Sequence, residues 1–194
     1  MSNQPIAGLG QVVIRVEFAS ITFVETQVRA GRPPNPAMLP DLPTVLGNGV
    51  GGVVTAVGAD VDTGLIGTRV VSTTGGSGGY AKRAAVNAAD LIAVPDKLTL
   101  ADAVALLADG RTALALVRTA EPRSAETVLI EAAAGGVGSL LVQLARNAGA
   151  TVIALAGGQR KLELARTLGA TVAVDYTQPG WAEAVRAAVD GVDL

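Results

Sequence analysis

The stretch Thr127-Val-Leu-Ile-Glu-Ala-Ala-Ala-Gly-Gly-Val-Gly138, running on into Ser139-Leu-Leu-Val-Gln-Leu-Ala-Arg146, constrains this chain more than any other. Thr127–Ile130 is β-branched and aliphatic, which suits a short strand. Gly135, Gly136 and Gly138 remove side chains where the backbone must turn sharply. From Val137 the apolar residues recur at helical spacing, through Leu140, Leu141, Leu144, Ala145 and Ala148. A strand, a glycine turn and a helix in that order aim free backbone N–H groups at whatever sits above the helix N-terminus. Such a site suits a pyrophosphate. The glycine spacing alone is weak evidence. The strand before it, the helix after it and the next strand beyond make it strong. Ala134, Gly135, Gly136, Val137 and Gly138 are therefore expected to cradle phosphate.

Around and beyond these glycines, strands alternate with helices. Thr127–Ile130, Thr151–Leu155 and Val172–Asp175 read as strands; Val137–Ala148, Lys161–Leu168 and Trp181–Val189 read as helices. Gly149 and Gly169 stand where helices need a left-handed residue to stop. This alternation predicts a parallel sheet with right-handed crossovers. The last residues, Gly191-Val-Asp-Leu194, resemble the opening of a fourth strand. Trp181 is expected to pack its helix onto the sheet.

Before Pro95 the texture differs. Gln11–Phe18, the glycine-rich Thr44–Gly58, Thr68–Ser72, Tyr80–Val86 and Leu91–Val94 read as short strands of an all-β half. Glycines inside the second of these mark bulges or close backbone approach. Ile21–Arg29 reads as a helical turn. Arg32–Pro40 holds four prolines and is expected to be an extended loop. Gly75–Gly79 lacks the Lys-Ser/Thr and the helix of a phosphate loop, so it reads as a turn. Thr99 and Asp102 look like a helix-start capping pair. The helical segment they open is expected to break at Gly110 and resume from Arg111 to Arg118. Tyr80 reads as packing at the core or the domain edge.

Composition narrows the chemistry. The chain has no Cys and no His. Catalytic Cys, Ser–His–Asp triads and His/Cys zinc sites are thereby excluded. No acidic cluster has the spacing for an all-carboxylate metal site. The net charge is −2, with no basic block, which disfavours nucleic acid and anionic membrane as partners. No apolar run approaches the ~18 residues of a membrane span, and a soluble cytoplasmic protein is expected.

The order of features resembles a known superfamily. Gln11–Val94 resembles the GroES-like domain of the medium-chain dehydrogenase/reductases. Ala133-Ala-Gly-Gly-Val-Gly138 and its surroundings resemble the NADPH-binding domain of the zinc-free quinone oxidoreductases. Leu46-Gly47, Gly51-Gly52, Gly78-Gly79-Tyr80-Ala81 and Gly110-Arg-Thr-Ala113 carry the likeness over nearly the whole chain. It implies a GroES-like β domain over residues 1–98, then the first half of a Rossmann doubly wound parallel sheet over 99–194. Against such proteins, a first strand pair and the second half of the nucleotide domain are expected to be missing. The full-length form is expected to be a homodimer.

Cofactor choice can be argued physically. An NAD site usually carries Asp or Glu at the end of the second strand, about 20 residues past the glycines. Here that strand runs into Ala156-Gly157-Gly158-Gln-Arg160-Lys161. The acid is absent and two cations follow, which suits the 2′-phosphate of NADPH. The competing reading makes Arg160 and Lys161 a solvated first helical turn. Gly158 belongs with Arg160 and Lys161 to this expected cofactor contact, and the resemblance adds Tyr176 beside the adenosine phosphate and Thr112 near the nicotinamide. As a plain residue Thr112 would be a helix-start hydroxyl.

The resemblance also implies the reaction: hydride transfer from NADPH to a quinone or an activated alkene (an enone, for instance), without zinc. Zinc-dependent relatives place metal ligands near Thr22 and Asn48, and neither residue type is a usual zinc ligand. Quinone reductases commonly have Asn, Tyr and Glu where Thr22, Gln27 and Gly49 stand. The tyrosine that enoyl-thioester reductases carry after the glycine matching Gly31 is replaced by Arg32-Pro33-Pro34. Thr22 is the candidate catalytic residue, as a hydrogen-bond partner of a substrate carbonyl; the competing reading makes it a cap or a packed hydroxyl. A non-catalytic dinucleotide-binding or scaffold paralogue is the alternative function. A chain of this length is expected to turn over weakly or not at all.

Overall fold

The structure, a computed structural model, describes residues 4–194. The chain divides between Ala108 and Asp109 into two compact units.

The first unit is built on β1 (Gln11–Ala19), α1 (Phe23–Arg29), β2 (Gly49–Val57), β3 (Arg69–Thr73), β4 (Arg83–Asn87) and β5 (Ile92–Ala93). The strands form one antiparallel sheet in the order β4-β1-β2-β3-β5. Val12 and Ile14 of β1 are fully buried with Val50, Val54, Val70 and Val86. Branched aliphatics, not aromatics, fill this core. The register of β1 against β2 shifts beside Gly51 and Gly52. A side chain at Gly52 would strike the Arg15 carbonyl, so the strand glycines mark close backbone approach, as expected.

The longest helix, α2 (Leu100–Ala120), begins in this unit. Its Leu100, Ala103, Val104 and Leu107 pack on Val71 and Val94. Thr99 opens it: the hydroxyl accepts the Asp102 N–H at 3.1 Å and donates to the Asp102 carboxylate at 2.6 Å. The expected break at Gly110 does not occur, and the helix runs through it without interruption. One interior glycine costs only about 1 kcal/mol relative to alanine. The Ala, Leu and Arg on either side favour helix, and their combined preference prevails.

The second unit continues with β6 (Thr127–Ile130), α3 (Gly136–Asn147), β7 (Thr151–Ala156), α4 (Gln159–Leu168), β8 (Val172–Asp175) and α5 (Trp181–Ala188). β6, β7 and β8 are parallel neighbours in that order. Both faces of β7 are buried, so its run Val152–Ala156 is apolar without alternation. Val152 and Ala154 join Val128, Val142 and Ala165 in one core. Ile153 and Leu155 join Val185 in the other, with Trp181 packed against them. Gly169 closes α4 at φ 116°, and Gly149 follows α3 at φ 87°. Beyond α5 the backbone returns to β6: Asp193 N–H donates to Thr127 O at 2.9 Å and Leu129 N–H to Leu194 O at 2.9 Å. These bonds lie on the strand that also pairs with β7, in the manner of an opening fourth strand.

Candidate functional site

The turn between β6 and α3 is held by its own backbone. Ala133 N–H donates to Leu155 O of β7 at 2.9 Å, and Gly135 N–H donates to Ala132 O at 2.8 Å. Ala132 takes a left-handed conformation at φ 48°. Gly135 is the N-cap of α3, and no side chain caps that helix. The N–H groups of its first turn point out of the helix end without a side-chain acceptor. A side chain at Gly138 would run into the Ala132 carbonyl, a backbone atom with little room to move. One at Gly136 would run into the Asp109 carboxylate of α2. The glycine pattern is thus a packing requirement of a cradle that remains open to an anion. Ala134 is half-buried and Val137 lies in the first helical turn.

A second glycine turn leaves the end of β7. Gly158 has φ 86° and ψ 152°, a conformation for which glycine is suited, and it is the N-cap of α4. No side chain caps α4 and no acid sits in its first turn. Arg160 and Lys161 do sit there, exposed, and neither makes an ion pair or side-chain hydrogen bond among the described residues. Cations at a helix N-terminus face the positive end of the dipole. That placement is unfavourable unless an anion lies between them.

The end of β8 meets the same turn. The Tyr176 ring lies against Gly157, with Cε2 3.4 Å from where a β-carbon would stand. Asp175 Oδ2 accepts the Gly158 N–H at 3.0 Å. Its Oδ1 accepts the Thr177 N–H at 2.9 Å and the Thr177 hydroxyl at 2.6 Å. The hydroxyl bond, then the N–H bonds, hold the Asp175 carboxyl below the usual aspartate range. Gly158, Tyr176 and the cations that follow Gly158 are therefore brought together at the ends of β7 and β8. Thr112 lies inside α2, not at a helix start. It is one turn beyond Asp109 and so on the helix face that approaches Gly136.

Thr22 is the N-cap of α1 in a reciprocal capping box. Its hydroxyl accepts the Glu25 N–H at 3.4 Å and donates to Glu25 Oε2 at 3.0 Å. Glu25 Oε2 also accepts the Thr22 N–H at 2.7 Å, while Oε1 accepts the Asn48 N–H at 2.7 Å. Burial and the neighbouring Glu25 carboxylate push the Tyr80 hydroxyl above the ordinary tyrosine range. Glu25, Thr26, Arg29, Leu46 and Tyr80 line a cavity of about 370 Å³ in the first unit. The Gly47 backbone passes under the Tyr80 ring.

The chain is similar to known proteins over nearly its whole length. Residues 8–96 match the alcohol dehydrogenase GroES-like domain, and residues 136–194 match the zinc-binding dehydrogenase family. A 2-haloacrylate reductase from Burkholderia is 36% identical over 187 residues, covering 95% of this chain and 56% of that protein. A quinone oxidoreductase from Pseudomonas aeruginosa is 35% identical over 185 residues, with coverages of 95% and 56%. The crystal structure of Escherichia coli quinone oxidoreductase complexed with NADPH superposes with a TM-score of 0.88. It is 28% identical, and the match covers 98% of this chain and 58% of that one. The chain belongs to the medium-chain dehydrogenase/reductase superfamily, in its quinone oxidoreductase branch.

Its first unit is the superfamily's GroES-like domain, and β6–β8 with their helices are the first half of the Rossmann sheet. The chain spans about half the length of the curated relatives it matches. Thr22 and Asn48 are both hydrogen-bonded within the first unit. Thr22 is bonded to Glu25, and Asn48 Oδ1 accepts the Gly76 N–H at 2.8 Å. Among the described residues, no group of three or more acidic side chains is placed to hold a metal ion. No helix among them is long and apolar enough to cross a membrane.

Three residues of the candidate site are not assigned to it by the sequence: Glu25, Asp109 and Asp175. Thr22-Phe-Val-Glu25 is a capping-box spacing, and that signal was available for Glu25. Asp175 ends a strand next to Tyr176, but its bond to Gly158 joins positions 17 residues apart. Asp109 meets Gly136 only through tertiary packing.

Proposed function

We propose that this chain carries the NADPH-binding and β-domain elements of a zinc-free oxidoreductase. In this reading hydride passes from NADPH to a small quinone or an activated alkene. One observation supports it most: two cations with no ion pair among the described residues stand in the first turn of an uncapped helix, directly after a glycine turn that lacks the acid of an NAD site.

The residues fit the group. The open first turn of α3 would take the pyrophosphate, with Gly138 keeping its backbone close to Ala132. Arg160 and Lys161 would neutralise the 2′-phosphate, and Tyr176 would flank the adenosine. Thr112 would stand on the nicotinamide side. When bound, the nicotinamide supplies the hydride, while the protein orients it and excludes water. The accompanying proton would come from solvent or from Thr22, whose hydroxyl would first have to leave Glu25. A homodimer is part of the same proposal for the full-length form.

Calorimetric titration tests the cofactor. Replacing Arg160 and Lys161 with alanine removes charge-assisted bonds, so NADPH Kd should rise about 10- to 100-fold. NADH binding should change little. Tighter binding of NADH than NADPH by the unaltered chain would overturn the reading. For the acceptor, NADPH oxidation is followed with a quinone panel and an enone panel, and reduction of neither by the full-length form would count against it.

A further inference from the structure

We infer that Asp175 is a positioning residue that sets the preference for a 2′-phosphorylated dinucleotide, by clasping the turn that presents Arg160 and Lys161. The inference rests on the dinucleotide reading and goes beyond it. It concerns a carboxylate at the end of the third strand, where no ribose contact is called for.

The clasp uses both carboxylate oxygens. Oδ2 takes the N–H of Gly158, the N-cap of α4, and Oδ1 takes the N–H and hydroxyl of Thr177. The acid that recognises a ribose follows the second strand of the sheet. Asp175 ends the third strand instead, and both its oxygens are turned onto protein donors, so it does not stand in the place of the acid absent after β7. Gly158 sits at φ 86° and ψ 152°, away from the ordinary backbone wells, and no side chain caps the helix it opens. The Asp175 bond is the side-chain contact that fixes its direction. Lys161 N–H in turn donates to Gly158 O at 3.0 Å, so the orientation of Gly158 passes into the first turn of α4. On the other side Tyr176, between the two clasped segments, rests its ring on Gly157. One carboxylate therefore ties together the proposed 2′-phosphate cations and the aromatic wall of the adenosine site.

The cations serve only a ligand bearing the phosphate. Loosening the clasp should then weaken NADPH more than NADH, an asymmetry that a purely structural role would not produce. Asp175→Asn keeps size and the Thr177 contacts but places an amide where Gly158 needs an acceptor. Thr177→Val keeps the carboxylate and the Gly158 bond and removes only the hydroxyl. The experiment measures NADPH and NADH Kd for the full chain and both variants, with melting temperatures recorded alongside. Asp175→Asn should raise NADPH Kd about 10-fold and lower the NADPH-to-NADH preference by a similar factor, the scale of one charge-assisted hydrogen bond. Thr177→Val should lie between it and the unaltered chain. A preference unchanged in both variants overturns the inference, whatever happens to melting. So does tighter NADPH binding by Asp175→Asn, which would mark the carboxylate as a repelling charge. Should Asp175→Asn fail to fold, Thr177→Val decides by the same ratio. If the unaltered chain binds neither nucleotide, the dinucleotide reading falls and takes this inference with it. Unaltered NADPH binding with an unmoved ratio sinks the inference alone.

Discussion

The Glu25 carboxylate joins residues from three separated stretches: Thr22 at the start of α1, Asn48 before β2, and Tyr80 beyond the glycine turn. Its charge keeps the Tyr80 proton in place, after desolvation, which contributes more. Because the folded state favours the neutral phenol, the stability it contributes is present below the unfolded tyrosine pKa. That contribution is lost as pH rises through the raised folded value. In a Tyr176→Phe background the ultraviolet phenolate signal should therefore appear above the ordinary tyrosine range. Glu25→Gln should bring it down only part of the way, since burial persists. A full return to the free-tyrosine value would show that Glu25 alone is responsible. Thr22→Val tests the cap separately: loss of the capping hydroxyl should cost about 1 kcal/mol in denaturant unfolding. NADPH affinity should be untouched, because every proposed cofactor contact lies in the second unit.

The elements around the cradle explain what was readable from sequence and what was not. The strands at Thr127–Ile130 and Val172–Asp175 match their expected bounds, because glycine, proline and changes of period bracket them. Gly110 misled, since a breaker signal is local and α2 is stabilised along its whole length. The Thr22 cap was legible as one of two readings, as its partner is three residues away. Asp109 and Asp175 were illegible because their partners lie on other elements. The cradle glycines themselves differ in a way only the structure reveals. A methyl group at Gly138 would face the Ala132 carbonyl, whereas one at Gly136 would face the end of the Asp109 side chain. Gly138→Ala should therefore destabilise the turn irreparably, with a loss of about 1–3 kcal/mol for overpacking and of NADPH binding. Gly136→Ala should be recovered in large part by Asp109→Ala, and a double-mutant cycle on thermal stability reads the coupling. Strict additivity of those two substitutions would mean that the carboxylate does not fill the space.

At the scale of the molecule, two sheets organise two units. Ile14 is fully buried in the antiparallel sheet and Ile153 in the parallel one. Each truncation to alanine should cost about 2–5 kcal/mol locally. Trp181 is the sole tryptophan and packs on Ile153 and Leu155, so its emission reports the second unit alone. Ile153→Ala should bring down the Trp181 transition and NADPH binding together on a temperature ramp. In Ile14→Ala the strand signal in circular dichroism should melt first, while Trp181 emission and NADPH affinity persist within about two-fold, since mutations far apart without shared partners act independently. The opposing force is α2, one unbroken helix that contains the division between the units. If its continuity couples them, both probes will fall at one temperature in either variant. The coincidence or separation of the two transitions thus decides whether the proposed cofactor cradle depends on the β domain for its stability or stands on its own sheet.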